Sequence, residues 1–465
     1  MKLLIFGVGK YYQERKEYFH EAEIVAFIDN DKKKQGLKID GIQIISAEAA
    51  VNLEFDYIYI MSIYKNEMKK QLLEIGISKD KICDFTQIGR LSYSSQMMVY
   101  YRKNDSFEGQ QSKKKILLMS HELSYTGAPI VLFYAACILK KNGYLPVIIS
   151  PGDGVLRNEI VSADIPVVIE KYISNDNLYI LEWMKSFDLI LVNTATFYYL
   201  IKDLNNFSKP VIWWIHEGEG SYWDIEDFPC TIYDNIYIYA GGYRALTTFR
   251  KYCGNHRNSE TLLYGIPDEN TNFEVVPKEN DKIVFAVIAT IIPRKAQDIF
   301  VEAIRYLEQD EREQAEFWII GPESNSDFYK KIELMIAGIP QIKMMGEWKL
   351  QKLIEQYHNI DVVVCPSRDD PMPVVLTEAM MFYKVCIASE ATGTASLIED
   401  KINGLICKVE DAKNLAEQMK WVLQHKGNLK DMGIESRKLY DENFSMEVFE
   451  KNILKIVKEL IPNKS

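Results

Sequence analysis

Short apolar runs that end in glycine, asparagine or an acid alternate along this chain with segments of helical period. The first runs are KLLIFGVG, EIVAFID and DYIYIMSI, within residues 1–91. Apolar runs of four to eight residues between helical patterns mark strands of parallel sheets covered on both faces. The rhythm fades near Ile88, and SYSSQMMVYYRKNDSFEGQQSKK, residues 92–114, is polar and without period, a predicted linker. A second α/β unit over 115–275 has the strands KILLMSHE, PVIISPGDG, FDLILVNT and PVIWWIHEGEG. Its first helix, APIVLFYAACILKKNG, opens after Gly127 and closes at Gly143 with Lys140 and Lys141 in the last turn. A third unit over 276–445 carries the strands KIVFAVIA, EFWIIG, DVVVC and KVCIAS, with helices at QDIFVEAIRYL and KLQKLIEQY. Residues 446–465 hold an amphipathic helix with Phe449, Ile453, Ile456 and Leu460 on one stripe. The pattern predicts an α/β protein of three doubly wound units and a terminal helix.

The 465 residues agree with about three domains. A net charge of −11 argues against a general nucleic-acid binder. No apolar window reaches the ~18 residues of a membrane span, and MKLLIFGVGKYYQ lacks a leader-cleavage pattern. The seven cysteines form no C-x-x-C pair, so neither a disulfide framework nor a zinc site is expected. Cys137, Cys365 and Cys386 lie in apolar runs and read as core fillers. A cytoplasmic protein is the expectation.

Candidate chemistry concentrates in SRDDPMPVVLTEAM, residues 367–380. It follows the strand DVVVC, at the carboxyl end where open α/β sheets bind ligands. Pro373 suits the first turn of a helix, whose free N–H groups attract an anion. Asp370, just outside that seat, suits hydrogen bonds from hydroxyls. Glu378, among Val375, Leu376, Ala379 and Met380, is costly unless paired. Hydroxyls at both ends and phosphate between describe a nucleotide sugar. A plainer alternative has Asp370 capping the helix and Glu378 facing solvent.

Asp370, seven residues, then Glu378 resembles the E-x7-E motif of the retaining glycosyltransferases of family four, with Asp for the first Glu. PSRDDPMPVVLTEAMMFYKVCIAS, ATGTASLIEDKINGLIC and IIPRKAQDIFVEAI resemble further family motifs in the family's order, over about 115–462. The resemblance implies a GT-B fold: two facing Rossmann-like domains, the acceptor domain at 115–275 and the donor domain at 276–445, with the last helix crossing back to the first. It implies that Lys295, with Arg294, contacts the donor diphosphate, that Asp370 contacts the transferred sugar, that backbone around Met372, Pro373 and Val374 meets donor oxygens, and that Glu378 holds the ribose. Thr290 stands where the family usually has an arginine, and Ser396 where an acid often follows the glycine-rich turn. The implied reaction moves a hexose from a nucleoside-diphosphate sugar, a UDP-sugar by expectation, to a hydroxyl of a saccharide or lipid-linked acceptor, with retention and without a required metal or cofactor. Surface-polysaccharide synthesis is the implied setting.

In the acceptor half, Gly127 in SHELSYTGAP resembles the family's glycine loop, or marks only a tight turn. His216, before Glu217 in VIWWIHEGEG, resembles a family histidine that reaches the donor sugar, or is an ordinary satisfied residue. Trp213 and Trp214 read as core or pocket wall. Residues 1–91 resemble small Rossmann-like sugar-nucleotide domains. IFGVGKYY is a partial G-x-G-x-x-G with Tyr12 at the third position, and Asp29 follows Gly9 by 20 residues. This unit either binds a nucleotide or has lost or altered that binding; the latter is favoured. Lys113, Lys114, Lys115 and the lysines at 140–141 allow a peripheral contact with the inner membrane surface, or are simply solvated. A catalytically reduced scaffold, or an epimerase or phosphorylase of the same fold, remains the alternative.

Overall fold

The computed structural model describes the chain except residues 14–15, 20–21, 85–96, 102–112, 172, 174–177, 206, 220–222, 224–227, 230, 273–280 and 463–465. The predicted boundaries at 91/92 and 275/276, most of the 92–114 segment and Cys230 lie outside the described residues. The chain divides into two compact units: residues 1–100 with 149–153 and 167–187, and residues 101–148, 154–166 and 188–465.

Three sheets carry the fold. The first has six strands: β1 (Lys2–Phe6), β2 (Glu23–Ile28), β3 (Lys38–Ile39), β4 (Ile42–Ile45), β5 (Tyr57–Ile60) and β6 (Ile82–Asp84), ordered β3-β4-β2-β1-β5-β6. Its central strands β1 and β5 read as apolar runs because both faces are buried. Leu3 and Ile5 enter one cluster with Phe27 and Tyr59, while Leu4 and Phe6 enter another with Ile28 and Leu72.

The second sheet contains β7 (Met98–Tyr100), β8 (Lys115–Met119), β9 (Leu145–Ser150), β10 (Val167–Ile169), β11 (Leu189–Asn193), β12 (Val211–Ile215), β13 (Ile236–Ala240) and β14 (Ser259–Thr261), ordered β14-β13-β12-β11-β8-β9-β10-β7. The polar segment predicted as a linker therefore contains a strand. β7 pairs antiparallel with β10 at the sheet edge, Val99 opposite Val168. Met98 and Val99 are exposed, so this strand lacks the buried apolar run that marks β8, β11 and β12.

The third sheet has β15 (Ile283–Ile288), β16 (Ala315–Ile320), β17 (Ile342–Gly346), β18 (Val362–Cys365), β19 (Val385–Ser389) and β20 (Leu405–Cys407), ordered β17-β16-β15-β18-β19-β20. Each sheet reverses its strand order at one point: between β1 and β5, between β8 and β11, and between β15 and β18. Crevices at such switch points, at the carboxyl ends of the strands, are where this architecture takes ligands.

The terminal helix, Met446–Leu460, starts at Ser445, whose hydroxyl caps the Val448 N–H at 3.4 Å. Its buried stripe is Phe449, Ile453, Leu454, Ile456 and Val457, with Leu460 half-buried. It returns to the second sheet. The Phe449 ring lies 5.8 Å from that of Trp214 on β12, and Glu450 binds Lys141 Nζ and Asn142 Nδ2, each at 2.8 Å, at the end of the Gly127–Lys141 helix. Trp213 and Trp214 are fully buried. Among the described residues, no helix is long and apolar enough to cross a membrane.

Candidate active site

Adjacency of β15 and β18 brings together groups 75 residues apart. After β15, the 3-10 turn Pro293–Lys295 ends at Ala296, whose φ of 56° turns the chain into the Gln297–Arg305 helix. Lys295 Nζ then forms an ion pair with Asp370 Oδ2. Arg294 Nη1 instead donates to the Asp369 carbonyl at 2.8 Å, and the Arg368 N–H donates to the Arg294 carbonyl at 2.9 Å. The two adjacent cations, Arg294 and Lys295, therefore have different partners. Thr290 accepts from Gln297 Nε2 through its carbonyl at 3.0 Å.

Asp370 is held by backbone as well. Its N–H donates to Ala391 O at 3.1 Å, and its carbonyl accepts from Gly393 N–H at 2.9 Å. This short bridge ties the loop after β18 to the glycine-rich turn after β19. A Cβ at Gly393 would overlap the Pro371 carbonyl oxygen, so only glycine allows the approach. The capping alternative for Asp370 is not what forms. The Val374–Met381 helix has Pro373 as its N-cap, with no side-chain cap hydrogen bond.

Glu378 sits one turn into that helix and does not face solvent freely. Its Oε2 accepts from Tyr357 OH at 3.3 Å, and burial pushes its carboxyl up to about 7. The Tyr357 ring stacks on Phe382 at 4.5 Å. Tyr264, from the other half of the unit, places its hydroxyl 3.0 Å from Thr377 Oγ1 and 3.4 Å from the Met372 carbonyl.

His216 follows β12. Its Nε2 lies 2.9 Å from Asn193 Oδ1, and Asn193 Nδ2 donates to Ala128 O at 3.0 Å. That second bond directs the amide oxygen at the imidazole, so Nε2 carries the proton and donates. Nδ1 faces Gly241, where a Cβ would lie 2.5 Å away. Burial, with His121 nearby, pushes the imidazole down to about 3, so the ring is neutral. Glu217 accepts from the N–H groups of Ala195 and His216, each at 2.9 Å, and burial pushes its carboxyl up to about 7.

The two halves of this unit meet through glycines. A Cβ on Gly127 would lie 3.5 Å from Val374 Cγ2, an ordinary contact, so among the described residues no close approach requires glycine there. A Cβ on Gly242 would lie 2.7 Å from both the Met372 methyl and the Pro371 carbonyl oxygen. Arg244 Nε, from the Tyr243–Cys253 helix, donates to Asp369 Oδ1 at 2.6 Å. Sequence reasoning missed Asn193, Tyr264, Tyr357, Arg244 and Asp369. Only Asp369 had a local signal, as the second acid beside Asp370.

In the first unit, a cavity of about 570 Å³ at the switch point is lined by Gly7, Gly9, Lys10, Asp29, Lys34 and Gln71, among others. Asp29 is already engaged there. Its Oδ2 pairs with Lys34 Nζ at 2.9 Å, and its Oδ1 accepts from Asp31 N–H at 2.9 Å. Tyr12 is buried in the core against Phe27.

Comparison with known proteins agrees with this architecture. The fold is GT-B. The model of the group 1 glycosyl transferases matches residues 268–439, that of the family 4 glycosyl-transferases matches 112–235, and a C2185-like N-terminal model matches 1–83. An uncharacterized glycosyltransferase of Methanocaldococcus jannaschii is 24% identical over 208 residues, 44% of this chain and 55% of that protein. The N,N'-diacetylbacillosaminyl-diphospho-undecaprenol alpha-1,3-N-acetylgalactosaminyltransferase of Campylobacter jejuni is 24% identical over 182 residues, 38% of this chain and 46% of that protein. The chain thus spans about half the length of these curated relatives. Among solved structures, HepE of Anabaena in complex with UDP and glucose superposes with a TM-score of 0.62 at 16% identity, over 75% of this chain and all of that one. The two glycosyl transferase models match separate stretches of the chain, and the solved structures share its GT-B fold.

Proposed function

We propose that this chain transfers a hexose from a nucleoside-diphosphate sugar, a UDP-sugar in the first instance, to a hydroxyl of a saccharide or lipid-linked acceptor, with retention of anomeric configuration. The observation that carries the reading is the Lys295–Asp370 pair beside the uncapped start of the Val374–Met381 helix, with Glu378 one turn further in. An arriving diphosphate competes with Asp370 for Lys295. It is then held by Lys295, Arg294, and the N–H groups of Met372 and Val374 at the helix start. Asp370, released from its cation, turns to the sugar hydroxyls, and Glu378 accepts from the ribose. Neutral His216 and the loop at Gly127 complete the acceptor side. In the transfer, the bond from the anomeric carbon to the diphosphate oxygen breaks, and a bond to the acceptor oxygen forms on the same face. The acceptor proton passes to the leaving diphosphate. No bound metal is needed for this charge balance.

HepE of Anabaena has also been solved with UDP-glucose, which supports the donor class. The Campylobacter jejuni relative, named for an undecaprenol-linked substrate, and a relative from Erwinia amylovora, named for amylovoran biosynthesis, support surface-polysaccharide assembly at the cytoplasmic face of the membrane. The test is a screen of UDP-, GDP- and dTDP-sugars on a lipid-linked acceptor extract, with products identified by mass and anomeric configuration by NMR. Lys295→Ala and Glu378→Ala are expected to lose about 10²-fold or more in turnover or donor affinity. Silence across the donor panel would favour the scaffold alternative; full activity in both variants would refute the site.

A further inference from the structure

Two adjacent acids, Asp369 and Asp370, sit in the loop after β18, and each has its own cation. Asp370 takes Lys295 from the same half. Asp369 takes Arg244 from the opposite half, at 2.6 Å, in a pair whose side chains are only 26% and 16% exposed. The opposite half approaches Asp369 a second time. A Cβ on Gly218, in the segment after β12, would collide with both Asp369 carboxylate oxygens. The Asp369 carbonyl also accepts from Arg294 Nη1 at 2.8 Å. Asp369 therefore touches Arg244 of the opposite half by its side chain and Arg294 by its backbone carbonyl.

We propose that Arg244 and Asp369 form a latch between the two halves, and that these positioning residues reserve Lys295 for the donor by keeping Asp369 away from it. With Arg244 in place, the two acids are served by separate cations, and the loop carries Asp370 in one register. When Arg244 withdraws, Asp369 is left as a second carboxylate without its partner, beside Asp370 and within the reach of the phosphate loop. It then competes for Lys295 and Arg294, the groups the diphosphate needs. Arrangement of the transferase site thereby depends on the acceptor half being seated. This inference rests on the transferase reading and adds a role for residues outside the donor motif.

The test is a double-mutant cycle in the full chain with Arg244→Ala, Asp369→Ala and the pair, and Arg244→Lys as the conservative variant. Misplacement at a distance of one residue from the reacting groups is expected to lower kcat by about 10²-fold in Arg244→Ala. The double variant is expected to be no worse than Arg244→Ala, because removing Asp369 removes the competitor. UDP affinity by calorimetry should fall in Arg244→Ala, where Asp369 occupies the cations of the diphosphate, and recover in the double variant; Arg244→Lys should recover part of the rate. Unchanged kcat in Arg244→Ala, or losses that multiply in the double variant, would overturn the latch. So would a UDP affinity that is unchanged in Arg244→Ala, or one that stays low in the double variant. If the wild-type chain transfers no sugar, the transferase reading fails, and the latch is judged by hydrogen exchange instead. UDP should protect residues 366–373 in the wild type and not in Arg244→Ala; equal protection in both would overturn it.

Discussion

At the scale of single residues, the most informative group is Glu378. Burial raises its carboxyl to about 7 from an ordinary 4.5, so the free protein holds a proton there that the unfolded chain releases near pH 4.5. Stability contributed by this residue is present at acidic pH and falls as pH rises from about 4.5 through about 7. Glu378→Gln should therefore stabilise the ligand-free protein at neutral pH, by about 1–3 kcal/mol, and flatten this part of the profile. Ribose hydroxyls donate to the charged form, so UDP binding should lower this pKa and release a proton near pH 6. Calorimetry in buffers of different ionisation heat reads that release. If Glu378→Gln releases as many protons as the wild type, Glu378 does not meet the nucleotide. The residue was legible because a lone acid in VVLTEAMM violates the local pattern. Its partner Tyr357 was not, since nothing in KLQKLIEQY distinguishes a tyrosine that stacks and donates from one that only fills space.

At the scale of elements, the strands were readable where both faces are buried and the side chains form unbroken apolar runs. β7 was missed for the opposite reason: three residues at a sheet edge, two of them exposed, inside a polar segment. The glycine-rich loops show a subtler limit. Both Gly127 and Gly393 stand in recognisable turns, yet the structure demands glycine at only the second. Gly393 brings its backbone against Pro371 and fixes the register of Asp370, while Gly127 has ordinary clearance. Gly393→Ala should cost about 1–3 kcal/mol by overpacking and should weaken UDP binding, because the Asp370 loop must move. Gly127→Ala should leave the melting temperature within the scatter of surface substitutions. Thermal melts of the two variants, with and without UDP, check the contrast. Equal melting temperatures would show that the two turns are held by something other than this contact.

At the scale of the whole second unit, the candidate site depends on contacts that no local pattern announces. Arg244, in the helix after β13, and Asp369, in the loop after β18, are 125 positions apart, so their pairing becomes visible only after both sheets are built. The terminal helix is the complementary case. Its amphipathic stripe was plain, and the GT-B resemblance implied where it would go, but not what it would touch. It continues from the last helices of the half built on the third sheet and packs Phe449 on Trp214 of the half built on the second sheet, with Glu450 bound at the end of the Gly127–Lys141 helix. A fully buried phenylalanine across that seam should be worth about 3–5 kcal/mol when cut to alanine. The loss would fall on the coupling between halves, because the helix's remaining stripe still has Ile453, Leu454 and Val457 to bury. Phe449→Ala is therefore expected to split or broaden the thermal transition of the second unit, with the acceptor half melting first, while UDP still protects the donor half. Scanning calorimetry with and without UDP makes the measurement. A single transition, shifted as one with and without nucleotide, would mean that the halves cooperate through the Arg244 and glycine contacts alone, and that the helix is a passive cover.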